Sequence, residues 1–168
     1  MRRAILVAIP VLGVAYLLQT AIIGRMMLLS GNADLILLIL AAWGLQERSR
    51  GAWVWGIAAG LFAGLVSGIP WYIYLAGYLI VVGAARLLVK RIWQAPLLAM
   101  FAVTLIGTLE MLIMMYVYRT LFQVSLPFSG VFSQIILPSV LLNLLLAIPV
   151  HSLVRDLVDR VYPAEVMA

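Results

Sequence analysis

The chain has 168 residues, of which 66% are hydrophobic and only 10% charged, with a formal net charge of +5 and no cysteine. Soluble domains run at about 45–50% apolar and about 25% charged, so this composition excludes a water-facing globular domain. The missing cysteine excludes disulfides, thiol nucleophiles and cysteine metal sites, and the basic surplus fits membrane topology rather than nucleic acid, because no basic patch accompanies a polar surface.

The expected fold class is all-α, a polytopic membrane helix bundle forming a single integral domain over residues 1–168. Met1-Arg2-Arg3 before an apolar run resembles a signal peptide. The run continues to Ile23 without a small-residue cleavage site, so it reads as an uncleaved first span over residues 4–23. Pro10 lies inside it, where neighbouring helices can absorb a kink. Arg25 and Ser30-Gly31-Asn32 then break the apolar pattern. A second span over 33–46 opens with Asp34, whose carboxylate suits the positive end of a helix dipole. It is short: about 14 residues cover roughly 21 Å against a hydrocarbon core of roughly 30 Å.

Glu47-Arg48-Ser49-Arg50-Gly51 reads as a cytoplasmic turn before a third span over 52–67. Gly56, Gly60, Gly64 and Gly68 recur there every four residues. Residues four apart share a helix face, and a face without side chains admits another backbone closely. This predicts a central helix around which the others pack, its stripe serving helix packing or a partner interface. Trp53 and Trp55 mark the inner membrane interface; Trp71, Tyr72 and Tyr74 mark the outer one. A fourth span over 71–89 ends near Arg86, Lys90 and Arg91, which can snorkel or meet anionic lipid headgroups, with Trp93 at the same level. A fifth span covers 96–118, an outer loop runs from Arg119 to Gly130, and a sixth span covers 131–153 with Pro138 and Pro149 inside it. A short amphipathic cytoplasmic tail over 154–168 carries Arg155 to Arg160 and reaches Pro163.

Charge counting fixes the expected orientation. With six crossings and both termini in the cytoplasm, nine basic residues lie inside: Arg2, Arg3, Arg48, Arg50, Arg86, Lys90, Arg91, Arg155 and Arg160. Arg25 and Arg119 lie outside. If the second helix fails to cross, three lie inside and eight outside. The positive-inside rule favours the first arrangement.

Glu110 is the acidic residue deep in a predicted span, which makes it a functional hypothesis by default. It lies about 13 Å below the outer end of its helix, and Asn143 lies about 17 Å from the same side. The two are expected to meet as a buried polar pair, a neutral carboxyl hydrogen-bonded to the amide; a proton or substrate role is the alternative. On the paired reading Glu110→Gln is tolerated better than Glu110→Leu. His151, the sole histidine, has no second ligand nearby and reads as structural. Serines and threonines are scattered without a nucleophile elbow, and no lysine follows the glycines as in a phosphate loop. Met111, Met114 and Met115 read as adaptable packing residues. No enzyme, metal or cofactor is expected.

In order along the chain, several stretches resemble the MreD family of bacterial rod-shape membrane proteins. They are Asp34-Leu35 into Trp43-Gly44-Leu45, the turn Arg48-Ser49-Arg50-Gly51, and the Gly56/Gly60 stripe leading to Leu65-Val66-Ser67-Gly68. Gly107-Thr108-Leu109-Glu110 and Leu137-Pro138-Ser139 through Asn143 to Pro149 complete the set. The chain departs from the family at Gly64, where an Asp is usual, and at His151, where an aromatic residue is frequent. The first departure fits a packing role for the stripe.

The resemblance implies a non-enzymatic scaffold of the elongasome. It implies binding to MreC, with RodA, a class B penicillin-binding protein and MreB in the wider complex, and a part in directing lateral peptidoglycan synthesis. It also implies a fold similar to the six-helix S-components of energy-coupling-factor transporters. A substrate-binding subunit of a vitamin transporter is the alternative. Such a protein needs a pocket with several convergent polar groups. The turn Gly68-Ile69-Pro70-Trp71 is apolar, and Glu110, Asn143 and Gln134 are the buried polar candidates, which favours the scaffold. A lipid- or quinone-handling subunit has less support.

Overall fold

The structure, a computed structural model, describes residues 2–25, 27–47, 51–89, 95–124 and 126–162, without the side chains of residues 2–6 and 23. The side chains of Arg2 and Arg3, the Arg48-Ser49-Arg50 turn, Lys90, Arg91, Trp93 and the tail from Pro163 lie outside the described residues.

The described chain is helical, with α1 Arg2–Ala21, α2 Leu35–Gly44, α3 Ala52–Val66, α4 Trp71–Val89, α5 Pro96–Phe122 and α6 Phe128–Val161. A 3-10 turn covers Ile23–Arg25, and among the described residues there is no strand beyond an isolated bridge between Leu28 and Gly31. By length and apolarity α4, α5 and α6 suffice to cross a membrane, while Val7–Ala21, α2 and α3 are apolar but shorter. The large apolar side chains exposed around the bundle suit lipid rather than water.

The centre of the bundle is α2, not the glycine-striped α3. Leu35 to Gly44 reads LILLILAAWG, apolar on every side, and a helix apolar all round has to be enclosed. Every residue from Ile36 to Leu45 is buried, and α2 touches α1, α3, α4, α5 and α6. The expectation of a central α3 fails because its stripe is one-sided. Its other face carries Trp53, Ile57, Leu61, Phe62 and Leu65, all exposed, with Leu65 at 83%.

The stripe is filled by α4, which runs antiparallel to α3. A Cβ on Gly60 would sit 2.5 Å from the Leu75 Cα, and one on Gly64 would sit 2.4 Å from the Trp71 Cα. A Cβ on Gly56 would meet the Val82 and Leu79 side chains at 3.2 and 3.3 Å. Gly68 lies past the end of α3 with open space around it. Backbone-to-backbone contact of this kind is what small-xxx-small faces provide.

The two tryptophans of the third helix part company. Trp53 is exposed at 51%, whereas Trp55 is wholly buried and stacks on Trp43 of α2, ring centroids 3.8 Å apart at 20°. Trp55 is therefore a core residue rather than an interface marker. At the other end of the bundle Trp71 and Tyr72 are exposed, but Tyr74 faces inward.

Loop boundaries also shift. Helix α5 continues to Phe122 and α6 begins at Phe128, so the connection is shorter than the expected Arg119–Gly130 loop. In α6 a π-helical turn covers Phe132–Ile136, where the Leu137 N–H bonds the Phe132 carbonyl five residues back. Pro138 explains it: a proline lacks the N–H and crowds the carbonyl four residues before it. That carbonyl, of Gln134, accepts the Ser30 N–H at 3.0 Å. The turn around Gly31 is thereby pressed onto α6, where a Cβ on Gly31 would sit 2.7 Å from the Ser139 nitrogen.

Candidate functional site

The start of α2 is held by side chains from three other helices. Asp34 is its N-cap, accepting the Leu37 N–H at 2.9 Å. The Tyr78 hydroxyl of α4 donates to Asp34 Oδ2 at 3.2 Å. Gln19 of α1 donates from Nε2 to the Ala33 carbonyl and accepts the Leu35 N–H at Oε1, both at 2.7 Å. From α6, Ser139 Oγ accepts the Asn32 N–H at 3.0 Å, and Asn143 Oδ1 accepts the Asp34 N–H at 2.8 Å. The Asn143 amide then donates to Thr108 Oγ1 of α5 at 2.8 Å. A ten-residue helix covers about 15 Å, so its first backbone groups fall inside the bundle, where every donor and acceptor needs a protein partner. At the far end Arg86 Nη1 donates to the Gln46 carbonyl at 3.2 Å, so α4 holds both ends of α2.

Above this network lies a cavity of about 470 Å³. Its polar lining includes Tyr16, Gln19, Asp34, Tyr74, Tyr78 and Thr108. Asn143, Thr120 and Arg119 add to it, and Ile36, Met111, Leu112 and Met115 supply apolar wall. Exposed Ser30, Asn32, Arg119, Val124 and Leu126 border its mouth, where the Tyr116 hydroxyl donates to the Leu126 carbonyl at 3.1 Å. The buried Thr120 Oγ1 has no hydrogen-bond partner among the described residues. A cavity of this size with converging polar groups can hold a small molecule.

The polar residues singled out from sequence are distributed differently. Asn143 is buried and hydrogen-bonded through both its oxygen and its nitrogen, but with Asp34 and Thr108 rather than with Glu110. Both Glu110 carboxyl oxygens are buried without a hydrogen-bond partner among the described residues. They face α4, with Oε1 3.6 Å from the place a Gly77 Cβ would occupy. Depth alone brought Glu110 and Asn143 together on paper; rotation about the helix axes separates them. Gln134 has an exposed side chain and contributes its backbone carbonyl. His151 is buried on α6, and its Nδ1 has no partner among the described residues. Among the described residues no three His, Cys, Asp or Glu side chains are grouped as for a metal. Gly56, Gly60 and Gly64 lie on the α3–α4 seam, away from Asn143, and Gly68 lies beyond it.

Sequence reading missed Tyr16, Gln19, Tyr74, Tyr78, Thr108 and Ser139 as members of one site. A signal existed in the spacing. Tyr74 and Tyr78, Thr104 and Thr108, and Ser139 and Asn143 are polar pairs four apart in apolar helices, each marking one inward polar face. No protein-family model, curated protein or solved structure matches the chain.

Proposed function

We propose that this chain is a non-enzymatic scaffold of the MreD type in the bacterial inner membrane. On this reading it crosses six times with both termini in the cytoplasm. It binds MreC and acts with RodA, a class B penicillin-binding protein and MreB in lateral peptidoglycan synthesis and rod shape. Its fold is then of the S-component kind. One observation carries the reading: three of the five stretches that resemble the family, far apart in sequence, meet at the start of α2. Asp34, Thr108 and Asn143, one from each, form one hydrogen-bonded chain. Consecutive helices alternate in direction, since the cavity takes the C-terminal ends of α1, α3 and α5 and the N-terminal ends of α2, α4 and α6. That alternation supports six crossings, as does the charge count.

The glycine stripe is occupied within the chain, so MreC is assigned elsewhere on the bundle. The test is deletion of the gene in its native host, with purification of the tagged protein from the same membranes. Rounded cells and co-purified MreC are expected. Cells that keep their rod shape without the protein reject the reading.

A second reading, the substrate-binding subunit of a vitamin transporter, draws support from the cavity. The count of polar candidates that spoke against it from sequence was too low, because backbone-engaged residues such as Gln19 and Ser139 also face that space. Co-purification of ATPase subunits instead of MreC would select it.

A further inference from the structure

The cavity has an internal charge pattern. Asp34 receives donors from the Leu37 N–H and the Tyr78 hydroxyl, and a carboxylate offers about four lone-pair sites, so acceptor capacity remains. No basic side chain of the described residues lies within 4.0 Å of it. Intramembrane carboxylates are ordinarily matched by a cation or a further donor. The rings of Tyr16, Tyr74 and Tyr78 line the same space, with Tyr74 and Tyr78 centroids 6.0 Å apart and tilted by 51°. Phenol faces attract ammonium groups, and aromatic cages built this way hold alkylammonium ligands.

A plain cation does not account for Arg119. This guanidinium lines the same cavity from its exposed mouth and makes no ion pair among the described residues. Arginine is the preferred side chain for phosphate, which it meets in bidentate fashion. An acid deep in the cavity and a base at its mouth fit a ligand of the opposite order, amine inward and phosphate outward. The 470 Å³ exceeds what a bare headgroup fills, and Met111, Leu112 and Met115 offer apolar wall for an attached hydrocarbon.

We propose that the cavity binds a zwitterionic amino-phosphate group, its ammonium at Asp34 among the tyrosine rings and its phosphate at Arg119. The group has two possible sources, the headgroup of an aminophospholipid or a soluble phosphoamine. The inference is independent of the scaffold reading, since rod shape and MreC binding are separate readouts.

The test uses the full chain, purified in detergent and in nanodiscs. Phosphatidylethanolamine nanodiscs are compared with phosphatidylglycerol nanodiscs, and soluble phosphoethanolamine with inorganic phosphate. Melting temperature and probe affinity are measured in each. The amine-bearing probe is expected to raise the melting temperature where its amine-free counterpart does not. A lipid source predicts the shift in nanodiscs only; a soluble source predicts it with free phosphoethanolamine. Asp34→Asn is the deciding variant. Asparagine caps helices as well as aspartate does and still accepts from Tyr78, so ligand-free melting holds while amine affinity falls at least tenfold. Arg119→Gln should weaken the same probes without altering ligand-free melting. Equal shifts with phosphatidylglycerol or inorganic phosphate, no shift with either amine, or undiminished binding by Asp34→Asn would overturn the proposal.

Discussion

Asn143 and Asp34, 109 residues apart, are joined by a 2.8 Å bond from the Asp34 N–H to the Asn143 side-chain oxygen. The same amide donates to Thr108, so one side chain ties the start of α2 to both α5 and α6. Asn143→Leu strands a buried backbone N–H and a buried hydroxyl. Stability should fall by about 1–3 kcal/mol, the cost of leaving such groups unsatisfied. Thr108→Val removes one bond and should cost about 1 kcal/mol. Unfolding of the purified variants in detergent measures both, and wild-type melting of Asn143→Leu would show that the link contributes nothing.

The stripe separates positions that read alike in sequence. Gly60→Leu forces α3 off the Leu75 backbone and should lower stability by about 1–3 kcal/mol, the usual range for overpacking. Gly68→Ala meets open space and should stay within about 0.5 kcal/mol of wild type. On the proposed scaffold reading, MreC should be lost from Gly60→Leu only along with the fold. A Gly60→Leu protein that melts normally yet fails to co-purify with MreC would move the partner onto the stripe.

Trp55→Ala deletes a wholly buried ring stacked on Trp43 and should cost about 3–5 kcal/mol. Trp53→Ala, two residues away and exposed, should stay within about 0.5 kcal/mol. Equal losses at the two positions would contradict the inward placement of Trp55.

For Glu110 the geometry reverses the order expected from sequence. Its oxygens gain nothing from Asn143, so Glu110→Leu should match or exceed wild-type stability, by about 1 kcal/mol, because it removes buried polar atoms that have no partner among the described residues. Glu110→Gln should gain less. If Glu110→Leu melts lower than Glu110→Gln, a hydrogen bond to this carboxyl exists in the membrane. A stable Glu110→Leu protein that cannot maintain rod shape would place that bond on a partner.

Topology is open to labelling because the chain has no cysteine. Single cysteines replacing Ser49 and Ala164 should resist an impermeant thiol reagent in intact cells, while one replacing Ser129 should react. Labelling at Ser49 without permeabilisation would invert the bundle.

What could be read from the sequence follows from what period and composition encode. The six apolar segments and the approximate ends of α3 and α4 were legible, because lipid demands helices and Gly51, Gly68 and Pro70 interrupt the runs. So was a carboxylate at the start of α2, since Asp34 precedes an uninterrupted apolar stretch. The identity of the central helix was available in principle: α2 is apolar on all sides and α3 on a stripe with bulky residues opposite. Glycines report how closely a neighbour approaches and not how many neighbours there are. The four-residue spacing of Ser139 and Asn143 marks an inward polar face but not its partners: the backbone groups of Asn32 and Asp34 that they bind lie more than 100 residues away, so the cavity as a whole was not legible.

The dependence of α2 on α6 has a temporal side. Asn32 and Asp34 leave the ribosome more than 100 residues before Ser139 and Asn143, a lag of about 5–20 s at ordinary translation rates. Throughout that interval the Asn32 and Asp34 N–H groups lack their final partners, although Gln19 of the first helix is already present for Ala33 and Leu35. Seating of α2 is thus a late act of biogenesis, completed when the last helix is inserted. A nascent chain released before Ser139 leaves those two N–H groups without the side chains that satisfy them.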